Sequence, residues 1–327
     1  SEYHDRNEQY ASFCKLAGVR EPQIHEFSRL NFAYTVLSKR VLTWFVDNKF
    51  VDGWDDSRFP TVRGILRRGM AVKGLRAFIL SQGASKRDVM MDDDKLWATN
   101  KKILEAEAPR YVAVLRPDFR KIVIGNWDNY LAQGGELAVN KPLHKKNPGL
   151  GDKMVMRGPV LLIEDIDAES IAEGEKITLI DWGNFKVTET SWDSGEIRLR
   201  ADYLPDDQNY KGTKKFTWLV DDTAASLTPL KLQYDSVLIT KPKLEEADSL
   251  EQVASTDSRK VYEAWGDHNL KSVAKGTTLQ LERKGFFIVD QEYRAAKETG
   301  TLGTEVPREE QAVVLINIPS GRVVRKY

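Results

Sequence analysis

A multidomain α+β chain is what this sequence predicts, and three observations predict it. The 327 residues, 41% hydrophobic and 30% charged, are enough for about two or three domains with ample cores. Residues 41–108 place apolar side chains at helical spacing between glycine and proline stops. After Pro109 the texture changes to short β-branched and aromatic runs alternating with Gly, Asn, Asp and Pro. That is the pattern of antiparallel β-barrels or sandwiches rather than of a parallel α/β sheet.

In chain order, Tyr10, Phe13, Cys14 and Ala17 give a helix over residues 5–17 that stops at Gly18. A mixed stretch from Ile24 to Tyr34 leads into a loop at Ser38. Val41, Leu42, Phe45 and Val46 mark the next helix, with Gly53 beyond its end. Pro60 suits the first position of another, because its missing N–H costs nothing there. That helix uses Val62, Ile65 and Leu66 and stops at Gly69. Val72, Leu75, Phe78 and Ile79 make a third, closed by Gly83. Asp92, Asp93 and Asp94 sit where a helix N-terminus favours negative charge, and Leu96, Ile103 and Leu104 continue the pattern to Pro109. The strands expected beyond are Tyr111–Leu115, Lys121–Ile124, Pro159–Ile163, Lys176–Ile180, Phe185–Thr188, Ile197–Leu199, Phe216–Leu219, Ser236–Thr240, Thr277–Leu281, Phe286–Val289, Ala312–Ile318 and Arg322–Val324. Lys241 to Arg259 is polar and reads as a linker or long surface loop. No fixed-period repeat is present.

Lysine plus arginine equals aspartate plus glutamate at 49 each, so net charge gives no sign of a nucleic-acid partner. The distribution is less even. Arg58 to Arg76 holds six basic residues (Arg58, Arg63, Arg67, Arg68, Lys73, Arg76) and no acidic one. Asn140 to Arg157 is also basic, and Glu164 to Glu175 is acidic. Such stretches are either solvated faces or the footprint of a selective RNA binder. Cys14 is the single cysteine, which excludes an intrachain disulfide and fits a reducing compartment. No apolar run approaches the roughly 20 residues that span a bilayer. The N-terminus resembles neither a signal nor a transit peptide; it opens in mid-pattern and reads as a cut chain. The scattered His4, His25, His144 and His268, with no Cys-x-x-Cys or His-x-x-x-His, give no metal site. Neither a phosphate-cradling glycine loop nor a nucleophile elbow occurs.

Ser38-Lys39-Arg40 carries the most chemistry. A hydroxyl and two cations on a loop between elements can grip a polyphosphate through charge-assisted hydrogen bonds, although alone the tripeptide reads equally as a solvated turn. Its context is Asp52-Gly53-Trp54-Asp55-Asp56-Ser57-Arg58-Phe59-Pro60-Thr61 and then Gly64-Ile65-Leu66-Arg67-Arg68-Gly69. This combination resembles the class I glutamyl/glutaminyl tRNA synthetases, and the resemblance runs through almost the whole chain. It implies the C-terminal remnant of a Rossmann-type catalytic domain with the Ser38 loop at 1–40 and a helical stem-contact module at 41–108. It also implies two antiparallel anticodon-binding barrels, a proximal one at 109–233 plus 305–327 and a distal one at 234–304.

The resemblance further implies that Lys39 steadies charge on the ATP α-phosphate, while Ser38 and Arg40 order the loop and bind pyrophosphate. Such electrostatic stabilisation is often the largest catalytic term. Phe27-Ser28-Arg29-Leu30-Asn31 also matches, with Arg29 and Leu30 against the adenine. Val36 stands where many class I enzymes have lysine, which is usual in this subfamily. The His-x-Gly-His half of the ATP site is absent, so the chain alone is expected not to activate an amino acid, because the template for in-line attack is incomplete. ATP with Mg2+ would serve the full enzyme, and no bound metal or prosthetic group is implied.

Arg63, Arg67 and Arg68, spaced i, i+4, i+5 on a helix, share a broad face expected either to meet tRNA phosphates or merely to solubilise. His144-Lys145-Lys146-Asn147-Pro148 through Lys153 resembles the loop that opens the anticodon barrels, with Lys153 reaching the anticodon. Lys211 to Leu219 and Glu282 to Phe287 resemble further anticodon elements, which brings in Lys211, Lys214 and Arg283. Trp182, Trp192 and Trp218 read as barrel core rather than stacking platforms. Arg68 to Ile79, Lys95 to Ile103, the Lys-Lys-Asn-Pro loop and Phe216 to Leu219 look like the eukaryotic glutamyl form. The glutaminyl form and a non-catalytic tRNA-binding module are the alternatives. Partners implied are glutamate-accepting tRNA, ATP and L-glutamate in a cytoplasmic setting. A multi-synthetase complex through a missing N-terminal region is a further implied partner, and no membrane is implied.

Overall fold

The computed structural model describes residues 4–193, 196–221, 227–294 and 311–321. Helices lead, as the spacing predicts. A single 3-10 turn precedes α1 (Asn7–Leu16), which buries only Cys14. Four more follow: α2 (Lys39–Asp47), α3 (Val62–Arg67), α4 (Val72–Gln82) and α5 (Asp94–Glu107). Two short strands were not anticipated. β1 (Leu30–Phe32) and β2 (Val89–Met91) pair in parallel and tie the first forty residues to the helical module. Pro60 does not open α3; Thr61 caps it, its hydroxyl accepting the Gly64 N–H at 3.0 Å, because a capping oxygen satisfies a donor that proline only avoids.

Phe78, Trp97 and Leu104 of α4 and α5 pack on Phe286, Ile288, Ile316 and Ile318 of the β-region, so the helical module is seated directly on a sheet. Gly69 makes that seat close. It ends α3 at φ +90°, and a Cβ there would lie 2.4 Å from the Ile318 side chain. Gly69→Ala is expected to cost about 1–3 kcal/mol from backbone strain alone, with the clash added, read as a lower urea midpoint at unchanged slope.

Two seven-stranded sheets make up the rest. The first has the order β12-β9-β10-β11-β5-β8-β13. Its members are β5 (Phe119–Ile124), β8 (Val160–Glu164), β9 (Lys176–Leu179), β10 (Gly183–Asp193), β11 (Glu196–Leu204), β12 (Lys214–Phe216) and β13 (Leu219–Val220). The second has the order β3-β16-β17-β18-β14-β15-β4. It contains β3 (Arg110–Tyr111), β4 (Ala113–Leu115), β14 (Leu227–Asp235), β15 (Arg259–Asp267), β16 (Thr278–Leu281), β17 (Gly285–Gln291) and β18 (Val313–Ile318). A separate hairpin, β6 (Ala138–Pro142) with β7 (Asp152–Met156), the short helices α6 (Trp127–Ala132), α7 (Asp165–Glu169) and α8 (Leu250–Val253), and 3-10 turns at Pro148–Leu150 and His268–Ser272 complete the described elements. Each sheet has its own core, Phe185, Ile122 and Leu161 in the first, Phe287, Leu232 and Leu315 in the second.

The sheets correct the expectation of antiparallel barrels. Both are mixed: β5 with β11 and β9 with β12 run parallel in the first, and β14 with β18 and β3 with β16 in the second. They are nonetheless strongly curled. β12 and β13 lie at opposite edges of the first sheet although only Thr217 and Trp218 separate them. β3 and β4 occupy opposite edges of the second with only Val112 between. A covalent link of two or three peptide units reaches at most ~11 Å, so each sheet bends until its edges meet at a chain crossing.

The strands also group differently from the expected partition. Residues 119–220 form the first sheet, whereas 110–115, 227–291 and 313–318 form the second. The cause is the β14–β15 ladder, from Leu227 opposite Asp267 to Asp235 opposite Arg259, which puts both sides of the expected 233/234 boundary in one sheet. Pro229 and the alternating charges had hidden both strands, since proline inside a run argues against one. Ser236–Thr240 is not a strand; it contributes a lone bridge, Ile239 to Ala254. Residues 241–259 form a largely exposed surface strap, as one of the two expected readings had it, anchored where Val253 and Ala254 are buried and Ala254 packs with Leu238 and Ile239 against Val36, Leu42 and Phe45 of the α2 region. The strand expected at Arg322–Val324 lies outside the described residues.

Candidate nucleotide and RNA sites

Ser38 is the extended N-cap of α2, its hydroxyl making no capping bond, and the first turn contains no acidic residue. Lys39 and Arg40 follow, exposed and, among the described residues, without a hydrogen bond or ion pair. Two cations at the positive end of a helix dipole repel it, so the arrangement is favourable only with an anion in place. The entry to the loop is fixed: Tyr34 sits at φ 59° and its N–H donates to the Pro242 carbonyl at 2.9 Å, from the strap. Upstream, Leu30 pairs with Val89, and the Arg29 N–H donates to the Asp88 carboxylate at 3.3 Å. Chemically, the loop can bind a polyphosphate.

The arginine trio is not one free face. Arg63 is exposed and unpaired among the described residues. Arg67 forms a fork on Asp290 of β17, at 2.7 and 2.8 Å, and this hydrogen-bonded carboxylate raises its pKa. Arg68 donates to the Asp235 carbonyl at 2.9 Å and lies over the Trp97 ring at 5.4 Å, while burial pushes its pKa down. Two of the three thus fasten the helical module to the second sheet. Sequence spacing cannot say whether a cationic face looks toward solvent or toward another domain.

The anticodon candidates divide in the same way. Lys153 is only 4% exposed, and its ammonium donates to the Arg110 carbonyl at 2.8 Å with Glu282 at 3.8 Å. Arg283, at the β16–β17 turn, forks onto Asp167 of α7, whose hydrogen bonds raise its pKa; beside it Lys284 pairs with Glu164. These contacts pin the two sheets together. Lys214 pairs with Glu175 at 3.0 Å. Lys211 alone of the four presents an exposed side chain with no partner among the described residues. Trp182 and Trp218 are core, their centroids 5.1 Å apart, and the Trp192 side chain lies outside the described part of the structure. His144 serves structure: it is buried, its Nδ1 accepting the Lys146 N–H at 3.1 Å while Nε2 meets the Glu105 carbonyl at the end of α5, at 3.0 Å.

Between the sheets lies a small groove that is partly open to solvent. It opens where the two crossings face each other, Val112 on one side and Thr217–Trp218 on the other. Met154 and Met156 of β7 line its apolar part, and Asp181 and His268 its polar rim.

One constellation escaped the sequence reading. Asp56 is fully buried and takes hydrogen bonds from the Arg58 guanidinium and from the backbone N–H groups of Asp52 and Arg58, at 2.7 to 2.9 Å. Arg259 reaches Asp56 at 3.2 Å, Asp235 at 3.0 Å and Asp52 at 2.6 Å; Ser57 donates to Asp235, and Arg58 to Ser258 at 2.8 Å. Burial works against ionisation of Asp56, but these donors together hold its carboxyl well below the usual carboxylate range. The partners are some 180 to 200 residues apart in the chain, so no local signal could have joined them.

Comparison with known proteins gives the same layout. Residues 1–106 match the family described as tRNA synthetases class I (E and Q), catalytic domain. Residues 108–203 and 215–290 match two families described as anticodon-binding domains of the same synthetases. The chain is 43% identical over 323 residues to the bifunctional glutamate/proline–tRNA ligase of Cricetulus griseus, covering 98% of this chain and 20% of that protein. It is 41% identical to the probable cytoplasmic glutamate–tRNA ligase of Schizosaccharomyces pombe and 37% identical to the cytoplasmic glutamate–tRNA ligase of Saccharomyces cerevisiae. Each match covers 100% of this chain and 43% of the relative. The chain therefore spans between a fifth and under half of the length of these relatives. With a part of the catalytic domain leading into both anticodon-binding domains, it belongs to the class I (E and Q) tRNA synthetases.

Proposed function

We propose that this chain is the tRNA-reading body of a cytoplasmic glutamate–tRNA ligase, carrying the phosphate-binding loop of the ATP site. The observation that carries the reading is the pair of unneutralised cations, Lys39 and Arg40, at an uncapped helix N-terminus, on the part that matches the catalytic domain and ahead of the two sheets. In the reaction, glutamate attacks the α-phosphate of ATP and then passes to the tRNA 3′ end. Lys39 stabilises the charge that develops on phosphate, Ser38 and Arg40 hold the departing pyrophosphate, and Arg29 and Leu30 border the adenine. Mg2+ arrives with ATP. The two curled sheets act as the anticodon-binding part. Arg63 and Lys211 contact RNA phosphates, and assembly with other synthetases is left to regions outside this chain.

Similarity along the whole chain to ligases named for glutamate supports glutamate over glutamine. Two measurements test the reading. The chain alone is expected to bind glutamate tRNA at low salt, with affinity falling steeply as salt rises. It is expected to give no ATP–pyrophosphate exchange with glutamate. Absence of tRNA binding at low salt sinks the RNA-reading assignment, and exchange by this chain alone overturns its incompleteness.

A further inference from the structure

Helix α5 ends without a cap of its own. The chain turns extended at Ala108, whose N–H closes on the Leu104 carbonyl. Pro109, four residues beyond Glu105, has no N–H to give, and Arg110, four beyond Ala106, donates to the Leu143 carbonyl at 2.8 Å. The local sequence therefore leaves the Glu105 and Ala106 carbonyls orphaned. Both are satisfied from one distant loop, 39 and 41 residues on: His144 Nε2 meets the Glu105 carbonyl at 3.0 Å, and the Asn147 amide donates to the Ala106 carbonyl at 3.1 Å. The same loop is braced on the first sheet, where Lys145 pairs at 3.0 Å with Asp181, between β9 and β10.

His144 stands at the centre of this joint and is 2% exposed. Its Nδ1 accepts the Lys146 N–H at 3.1 Å, so the ring proton sits on Nε2 and is given to the Glu105 carbonyl. One tautomer satisfies both bonds. The carbonyl end of a helix carries partial negative charge, which favours donors arriving there.

We infer that His144 is a positioning residue for tRNA: with Asn147 it locks α5 of the helical module to the first sheet, and so sets the angle between two RNA-binding bodies. The inference rests on the tRNA reading above. It asks no RNA contact of the ring, which is buried. When two contacts sit on one rigid frame, the second forms as an intramolecular step, and the gain in affinity is about 10²–10⁴. A slack joint forfeits part of that gain and leaves each separate contact as it was.

Binding of three RNAs to the chain and its variants tests this: an unmodified glutamate tRNA transcript, an acceptor-stem minihelix and an anticodon stem-loop. His144→Ala and Asn147→Asp are each expected to weaken tRNA binding about tenfold, with the minihelix and the stem-loop within about twofold of the parent. Asn147 is only partly buried, so its variant serves where His144→Ala does not fold. His144→Gln, which keeps a donor for the Glu105 carbonyl, is expected to recover most of the loss. In the parent, NMR of the ring nitrogens should show Nε2 protonated and Nδ1 bare. If the parent chain binds no tRNA, the broader reading fails and this inference with it. This inference alone is overturned, and the broader reading survives, if the parent binds tRNA and any of three results appears: neither variant weakens that binding, the loss is as large on the minihelix or the stem-loop as on tRNA, or the ring carries its proton on Nδ1.

Discussion

Asp56→Asn is expected to destabilise the chain by about 3–5 kcal/mol, measured by urea unfolding at neutral pH. The magnitude follows from what is left behind. Arg58, with a side chain 6% exposed, and Arg259 would keep their charges next to a neutral amide, and one of the amide's N–H groups would face the donors that now point at the carboxylate. The same carboxylate sets a pH dependence. Its folded pKa is depressed, so its contribution is complete above the unfolded value of about 4 and is lost as pH falls from there toward the folded pKa. Asp290, held below its usual range by Arg67, adds in the same direction. The parent should therefore lose stability below about pH 4, and Asp56→Asn should flatten that slope. A variant within about 1 kcal/mol of the parent would show that the network is dispensable.

Lys39→Ala, made in a ligase of the relatives' full length that carries this stretch, is expected to lower kcat for glutamate-dependent ATP–pyrophosphate exchange by about 10²–10³, equivalent to roughly 3–4 kcal/mol. The effect should fall on kcat more than on the KM for ATP, because charge on the phosphate is greatest in the transition state. Lys39→Arg should recover part of the rate, since a guanidinium keeps the charge with a different reach. tRNA binding should be unchanged, because the loop lies on the catalytic part and not among the RNA contacts proposed here. A KM effect with full kcat would instead assign Lys39 to ground-state binding.

The helices were legible because their apolar spacing and glycine stops are local signals: α4 ends at Gly83, and α5 begins within the run of aspartates. Most strands of the first sheet were legible for the same reason. β14 and β15 were not, because Pro229 and the exposed residues Lys260 to Glu263 break the alternation that identifies a strand. The parallel pairings were invisible, since nothing local distinguishes a parallel neighbour that lies far along the chain.

By itself the sequence determined the helical module, the β-rich remainder, the family and the Ser38-Lys39-Arg40 loop. All of these are carried by short contiguous runs whose residue types act on their own neighbours. Which cations are free was decided only by the tertiary structure. Arg67, Arg68, Lys153 and Arg283 looked like RNA ligands in the chain, yet folding brings Asp290, the Asp235 and Arg110 carbonyls and Asp167 against them. Arg63 and Lys211 meet no such partner among the described residues. A positive side chain has the same chemistry in either case; its availability depends on acceptors that arrive from distant parts of the chain, and only the packed fold fixes where they stand.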